Sequence, residues 1–129
     1  MPASWSARVR YVECDQQGVV FNAHYLTWAD EAATEWWASV GLPWDALITR
    51  GAEAMVRSSS LEWTSPARWG DTISVVAEID NVGRTSLTLR FTVTAGDRDC
   101  CTILTTYVWV TPEGPAPWPD DVRSVLDAA

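Results

Sequence analysis

The sequence predicts an α+β fold in which one long helix is covered by an antiparallel sheet of about five strands. Apolar residues recur every three or four positions between residues 25 and 40, which is typical of an amphipathic helix. Strand-like runs separated by short turns then fill residues 55–110, and short turns favour antiparallel neighbours. The 129 residues, 47% of them hydrophobic, suffice for a single domain over residues 1–129 that needs neither disulfides nor metals.

The first predicted element is a strand over residues 7–12, where small or apolar residues alternate with charged ones. A polar stretch over residues 13–18 predicts a loop. The long helix follows over residues 25–40, with Asn22 as the expected N-cap residue and Gly41 as the residue that ends it.

The second half of the chain is predicted to be mostly β. A short helix over residues 44–49 comes first, and prolines between residues 112 and 119 precede a terminal helix over residues 120–128. Between these helices lie four runs rich in Val, Ile, Thr, Leu and aromatic residues, predicted as strands over 56–63, 72–82, 86–94 and 102–110.

Composition limits the possible partners and the location. All nine basic residues are arginine, and seventeen acids give a net charge of −8, which disfavours binding to nucleic acid or to an anionic membrane. The apolar runs are too short to span a bilayer, and no leader-like stretch begins the sequence. Three cysteines, two of them adjacent, indicate a reducing compartment, so we expect a cytoplasmic location.

The segment from Asp15 to Tyr25 is the strongest candidate for a chemical site. Asp15 and Gly18 lie in a predicted loop that runs directly into a helix N-terminus, where unpaired backbone N–H groups favour developing negative charge. Asp15 could therefore lie beside an oxyanion site, or it could only order a turn with Gly18. Metal-ligand spacings of His and Cys and Gly-rich phosphate loops are absent from the sequence, which predicts no metal and no resident cofactor.

Residues 15–21 read D-x-x-G-V-V-F, and Tyr25, Trp28 and Asp30 follow at helical spacing. This pattern resembles the signature of the 4-hydroxybenzoyl-CoA thioesterase family, and the similarity extends over residues 6–110. The resemblance implies a hotdog fold, in which a curled antiparallel sheet wraps a long central helix. It also implies hydrolysis of an acyl-CoA thioester, with an aryl or a short- to medium-chain acyl group, to the free acid and coenzyme A.

The resemblance further implies roles for individual residues. Asp15 would act on the thioester carbonyl, either as a nucleophile that forms a mixed anhydride or as a general base on water. The thioester oxygen would be held by a backbone N–H at Asn22 or its neighbour. The residues expected around the substrate are Gly18, His24, Tyr25, Trp28 and Asp30. Those expected to contact coenzyme A are Arg68, Arg84, Thr85 and Ser86.

Some of these residues also fit simpler roles: His24 and Asp30 fit as ordinary surface residues of the helix, and Arg84 as a residue of an exposed turn. The family assembles as homodimers that pair into homotetramers, and the open edges of a curled sheet lead us to expect the same here.

Two alternative functions remain. One is a non-catalytic acyl-CoA-binding protein, which Asp15 disfavours because a pure binding site gains nothing from an acid beside the carbonyl. The other is a thioesterase for carrier-protein thioesters, which is disfavoured because carrier proteins are acidic and the sequence shows no strong basic patch.

Overall fold

The computed structural model describes residues 2–129, in which one antiparallel sheet carries three helices. The strand order across the sheet is β1-β3-β4-β5-β2, and a sixth, two-residue strand pairs with β5. The strands are β1 (Ala3–Arg8), β2 (Glu53–Trp63), β3 (Thr72–Val82), β4 (Ser86–Ala95), β5 (Arg98–Thr111) and β6 (Gly114–Pro115). The helices are α1 (His24–Ser39), α2 (Trp44–Ile48) and α3 (Asp120–Ala128).

The structure confirms the predicted α+β arrangement, but the first strand was wrongly placed. β1 begins at Ala3 and ends at Arg8, and residues Tyr11–Glu13 form a 3-10 turn instead of continuing the strand. The turn closes because the Arg10 N–H donates a hydrogen bond to Glu13 Oε1 at 2.8 Å. Tyr11 and Val12, which continue the alternating pattern, are exposed.

The long helix begins without the predicted side-chain cap. Ala23 is the N-cap residue, with dihedral angles that are already helical (φ −65°, ψ −25°), so the prediction of Asn22 at this position was wrong. The chain enters α1 through a backbone turn, in which the Phe21 carbonyl accepts from the His24 N–H at 3.0 Å. At the other end Gly41 has a φ of +82°, which confirms it as the residue that ends the helix.

One face of α1 is buried and packs against β1, β3 and β4. Alanines on this face let the helix approach the sheet closely, and aromatic rings fill the space toward both ends of the helix. The buried residues are Tyr25, Trp28, Ala29, Ala32, Ala33, Trp36 and Trp37.

Trp118 fixes the C-terminal segment to the sheet and to the helix. It is 5% exposed, and its ring lies 5.5 Å from Trp109 and 6.2 Å from Trp37, measured between ring centroids. Its indole N–H donates to the Ser86 carbonyl at 3.1 Å, and its backbone N–H donates to the Arg84 carbonyl at 3.2 Å. The turn between β3 and β4 is therefore held by a residue more than thirty positions away in sequence.

We predict that Trp118→Ala lowers the free energy of unfolding by about 3–5 kcal/mol, because it leaves a large cavity between α1 and the sheet. Urea unfolding at a fixed protein concentration measures the change. Trp44→Ala is the matched control, since Trp44 is 62% exposed and its removal should cost less than about 1 kcal/mol. Equal losses in the two variants would contradict the prediction.

Candidate active site

Asp15 lies in a tight loop between the 3-10 turn and α1. The backbone of Cys14 bridges that of Val20, and the Asp15 N–H donates to the Val19 carbonyl at 2.9 Å. The Gly18 N–H donates back to the Asp15 carbonyl at 3.0 Å, and Gly18 has a φ of +79°, which favours glycine. Asp15 thus does order a turn with Gly18, as the simpler interpretation of the sequence predicts.

The Asp15 carboxylate is hydrogen-bonded at one oxygen and open at the other. Its Oδ1 accepts the Gln17 N–H at 2.8 Å, while no group within residues 2–129 donates to Oδ2. The half-buried side chain faces a cleft of about 740 Å³ that Gly18 and Arg68 also line. Two exposed aromatic rings, Tyr11 and Trp69, stack edge to face on the wall of this cleft.

The loop runs directly into the N-terminus of α1. In the part of the chain that the structure describes, the N–H groups of Asn22 and Ala23 donate to no protein acceptor. They stand at the positive end of the helix dipole, where negative charge is favoured. Asn22 is exposed and, with Tyr25 and Trp63, lines a second cleft of about 270 Å³.

A short segment before β3 connects the two clefts. Arg68 bridges Val19, and the Ala67 carbonyl accepts the Val20 N–H at 2.9 Å. The Ala67 N–H donates to the Tyr25 hydroxyl at 3.0 Å. Burial raises the pKa of Tyr25, so this hydroxyl is neutral and holds the first turn of α1 beside the loop.

Sequence reasoning missed Glu13, a buried carboxylate two residues before Asp15. Glu13 is 4% exposed, and its Oε2 accepts the Trp28 indole N–H at 3.0 Å. Its Oε1 accepts the Arg10 N–H and lies 3.4 Å from the Arg10 guanidinium. Burial alone raises the pKa of Glu13, but the hydrogen bonds from Arg10 and Trp28 outweigh it, so the pKa lies below its usual value of 4.5. The position of Glu13 directly after a predicted strand was the only signal in the sequence, because nothing in the sequence indicates that Trp28 of α1 is its hydrogen-bond partner.

Three other predicted substrate residues lie in different surroundings. His24 is half-buried, with its ring edge-on to Phe21 at 6.2 Å. Trp28 is buried and donates its indole N–H to Glu13, so it can shape a pocket only by packing. Asp30 is exposed and lines another cavity, of about 260 Å³, together with Tyr107, Trp37 and Trp44. Within one chain the structure does not bring Asp30 into either cleft of the Asp15 loop.

The residues predicted to bind coenzyme A divide between two ends of the sheet. Arg68 lies in the Asp15 cleft, next to the start of β3. Arg84, Thr85 and Ser86 follow the far end of β3, whose eleven residues span about 33 Å at the usual strand rise. Their carbonyls accept hydrogen bonds from Trp109 and Trp118, while the Arg84 side chain is exposed.

Residues 2–129 carry neither a metal centre nor a membrane-spanning helix. Three or more His, Cys, Asp or Glu side chains do not gather there in an arrangement that could hold a metal ion. None of the described helices is long and apolar enough to cross a membrane. The three thiols, Cys14, Cys100 and Cys101, are free.

An antiparallel sheet packed on one long helix is the hotdog architecture. The chain belongs to the Thioesterase superfamily, whose model matches residues 17–102, about two thirds of the sequence. The resemblance to hotdog thioesterases, the five-stranded antiparallel sheet and the thioester hydrolase class are thereby confirmed.

Two relatives illustrate the similarity in sequence. An Aquifex aeolicus protein is 27% identical over 93 residues, which are 72% of this chain and 73% of that protein. The acyl-CoA thioester hydrolase of Escherichia coli is 32% identical over 83 residues, 64% of this chain. The aligned part spans only 62% of the Escherichia coli protein.

Solved structures show the same fold over nearly the whole chain. A protein of Thermus thermophilus superposes with a TM-score of 0.92 at 25% identity, covering 98% of both chains. A Thermus thermophilus thioesterase complexed with coenzyme A and zinc has a TM-score of 0.85 at 25% identity, covering 98% of this chain and 92% of that one. An aspartate-to-asparagine variant of 4-hydroxybenzoyl-CoA thioesterase, complexed with 4-hydroxybenzoyl-CoA, has a TM-score of 0.86 at 20% identity and covers 97% and 98%.

We predict that Glu13 contributes to stability in a pH-dependent way. Because its pKa is lowered in the folded state, its contribution is complete above pH 4.5 and is lost as the pH falls through the lowered pKa. Glu13→Gln should therefore lower the free energy of unfolding by about 1–3 kcal/mol at pH 7, and by less at pH 3. Urea unfolding of both proteins from pH 7 to pH 3 measures the gap, and a gap that stays constant would contradict the assignment.

Proposed function

We propose that this protein hydrolyses an acyl-CoA thioester to a free acid and coenzyme A, with Asp15 as the catalytic carboxylate. One observation carries the proposal: the open Oδ2 of Asp15 lies in a cleft whose loop ends at the free N–H groups of α1. Similarity to the acyl-CoA thioester hydrolase of Escherichia coli and to the Thermus thioesterase complexed with coenzyme A supports the substrate class.

In the proposed reaction the thioester oxygen binds the N–H groups of Asn22 and Ala23. Negative charge grows on this oxygen as the carbonyl becomes tetrahedral, and each such preorganised donor is typically worth about 10²–10³ in rate. The Asp15 Oδ2 either attacks the carbonyl carbon, giving a mixed anhydride that water then hydrolyses, or takes a proton from a water that attacks the same carbon. In both routes the C–S bond breaks, and coenzyme A leaves as a thiolate that takes up a proton. The hydrogen bond from Gln17 to Oδ1 holds the carboxylate in either role.

The acyl group is proposed to lie against the apolar surface beside the start of α1. Val19, Tyr25 and Trp63 line this cleft, and the Tyr25 ring is edge-on to Trp63 at 5.8 Å. This surface suits an aryl or a short- to medium-chain acyl group. Gly18 lines the neighbouring Asp15 cleft and His24 is the first residue of α1, while the buried Trp28 ring packs 5.0 Å from the Tyr25 ring.

We propose that each active site is completed by a second copy of the chain. Arg84 lies about 33 Å from the Asp15 end of β3, farther than the pantetheine arm of coenzyme A reaches. If Arg84, Thr85 and Ser86 bind the nucleotide phosphates, they must belong to the site of the partner, whereas Arg68 serves the site of its own chain.

The edge strand β2 is the proposed contact between copies. It is the last strand of the sheet, and the side chains from residue 55 to residue 60 are all exposed, including Met55 at 48% and Val56 at 55%. An edge that is this long and partly apolar is normally covered. Pairing of two β2 strands would give a homodimer, and two dimers would give the expected homotetramer.

Three further features belong to this proposal. The curled sheet wraps α1 along its length, which is supported by the contacts of α1 with β1, β3 and β4. Coenzyme A enters as part of the substrate, and no resident cofactor takes part. The free thiols suit a reducing cytoplasm, and the net charge of −8 disfavours nucleic acid and anionic membranes as partners.

We predict that Asp15→Asn lowers kcat by about 100-fold or more while acyl-CoA binding is retained, because the amide can neither attack nor take up a proton. Thiol release from a panel of aryl-, short- and medium-chain acyl-CoAs gives the rate and identifies the acyl class. Hydrolysis in ¹⁸O-labelled water under single-turnover conditions identifies a nucleophilic Asp15, since water that attacks the Asp15 carbonyl of the anhydride leaves its oxygen on this carboxylate, whereas a general base takes up no label.

Asp97→Asn is the matched control for this substitution, because Asp97 is exposed in the turn between β4 and β5. Full activity of Asp15→Asn would overturn the proposed mechanism. Binding of acyl-CoA without turnover by the native protein would favour the non-catalytic alternative.

The shared site predicts complementation between two impaired variants. Arg84→Ala should raise KM through loss of a phosphate contact, and Asp15→Asn should abolish turnover. A mixed dimer of these two chains contains one intact site if Asp15 and Arg84 come from different subunits. Co-refolding the two variants should then restore about a quarter of the native rate at low acyl-CoA concentration. A rate no higher than the average of the two parents would place both residues in the site of one chain.

A further inference from the structure

We propose that Glu13 is a positioning residue for thioester hydrolysis: it fixes the Asp15 loop against α1, and so fixes the carboxylate relative to the free N–H groups of the helix. This inference rests on the proposed function of Asp15. It assigns a role to a buried acid that the proposed chemistry does not itself use.

Both carboxylate oxygens of Glu13 are occupied, and each has a different partner. Oε1 accepts the Arg10 N–H at 2.8 Å, which closes the turn that leads into the loop. Oε2 accepts the Trp28 indole N–H at 3.0 Å, fifteen residues away on α1. The side chain therefore connects the beginning of the loop to the second turn of the helix.

The backbone of Glu13 makes a third connection. Its carbonyl accepts the Phe21 N–H at 2.9 Å, at the point where the loop closes and the chain turns into α1. Asp15 follows Glu13 by two residues, and Asn22 directly follows Phe21. The hydrogen bonds of Glu13 therefore hold the chain next to Asp15 and next to Asn22, the two residues proposed to contact the substrate. A misplacement of such groups by about 1 Å can lower the rate 10²-fold.

The chemistry of the site explains why an acid stands here. Two N–H donors point at the two oxygens, and a carboxylate accepts from both with charge-assisted hydrogen bonds. A glutamine would keep one acceptor and would turn its NH₂ group toward the other donor. A buried ionised group is a poor way to gain stability, since apolar residues of similar volume often serve as well. The benefit of the Glu13 carboxylate is that its two hydrogen bonds define the position of the loop relative to α1.

The test compares Glu13→Gln with the matched control Glu31→Gln, an exposed acid on α1. We expect Glu13→Gln to lower kcat about tenfold or more with KM changed less than threefold, and Glu31→Gln to change neither. Trp28→Phe, which keeps an aromatic ring but removes the donor, should lower kcat in the same way. The double variant Glu13→Gln/Trp28→Phe should lose no more than the larger of the two single losses.

The decisive measurement adds Glu13→Gln to Asp15→Asn. If Glu13 acts by positioning Asp15, the added substitution should lower the residual rate less than twofold. A further tenfold loss in this background would overturn the proposal, because it would show that Glu13 acts independently of Asp15.

Amide hydrogen exchange tests the positioning role of Glu13 independently of the catalytic role of Asp15, because it reports on the loop and does not depend on activity. Glu13→Gln should speed exchange at the Gln17 and Phe21 N–H groups, which close the loop, but not at the Ala67 N–H, which Tyr25 holds. Unchanged exchange at Gln17 and Phe21 would overturn the positioning role whatever the activity shows. Full activity of Asp15→Asn would instead refute the proposed function.

Discussion

The start of α1 is held in place by hydrogen bonds from buried side chains, and the candidate site depends on this attachment. The Tyr25 hydroxyl accepts the Ala67 N–H, and the Trp28 indole donates to Glu13 one turn further along. Both side chains come from the buried face of the helix, so the packing of α1 on the sheet also sets the position of the loop. A helix end that must leave its own N–H groups free for a ligand gains its rigidity from such contacts instead of from a cap.

Most arginines of this strongly acidic chain are paired with carboxylates. Five arginines pair with carboxylates: Arg10, Arg50, Arg90, Arg98 and Arg123. Most of these pairs are exposed and add little to stability. Within residues 2–129, Arg68 and Arg84 are among the arginines without such a pair, and these two were predicted to meet coenzyme A. Both guanidinium groups are therefore available for the phosphate contacts proposed for them.

The sequence predicted most of the fold because its signals are local. The period of α1, the glycine at its end and the turn residues between β3, β4 and β5 each determine structure within a few residues. The failures occurred where a specific hydrogen bond or backbone turn decides and the pattern of residue types does not reveal it. The extent of β1 depends on a hydrogen bond from Arg10 to Glu13, and the helix start depends on a backbone turn that makes an Asn22 cap unnecessary. Of the site, the motif indicated Asp15, but the Glu13–Trp28 pair arises only when the loop folds onto the helix.

The length of β3 also links the fold to the assembly. An antiparallel strand of eleven residues separates its two ends by about 33 Å, so Arg68 before it and Arg84 after it cannot hold one small ligand together. In the proposed homodimer a two-fold axis at the β2 edge would reverse the direction of the second sheet, so that the far end of one β3 and the near end of the other would lie on the same side of the assembly. One contact between identical copies would then create two equivalent sites. In the proposed arrangement the exposed edge strand that has to be covered would also be the element that joins the two halves of each site.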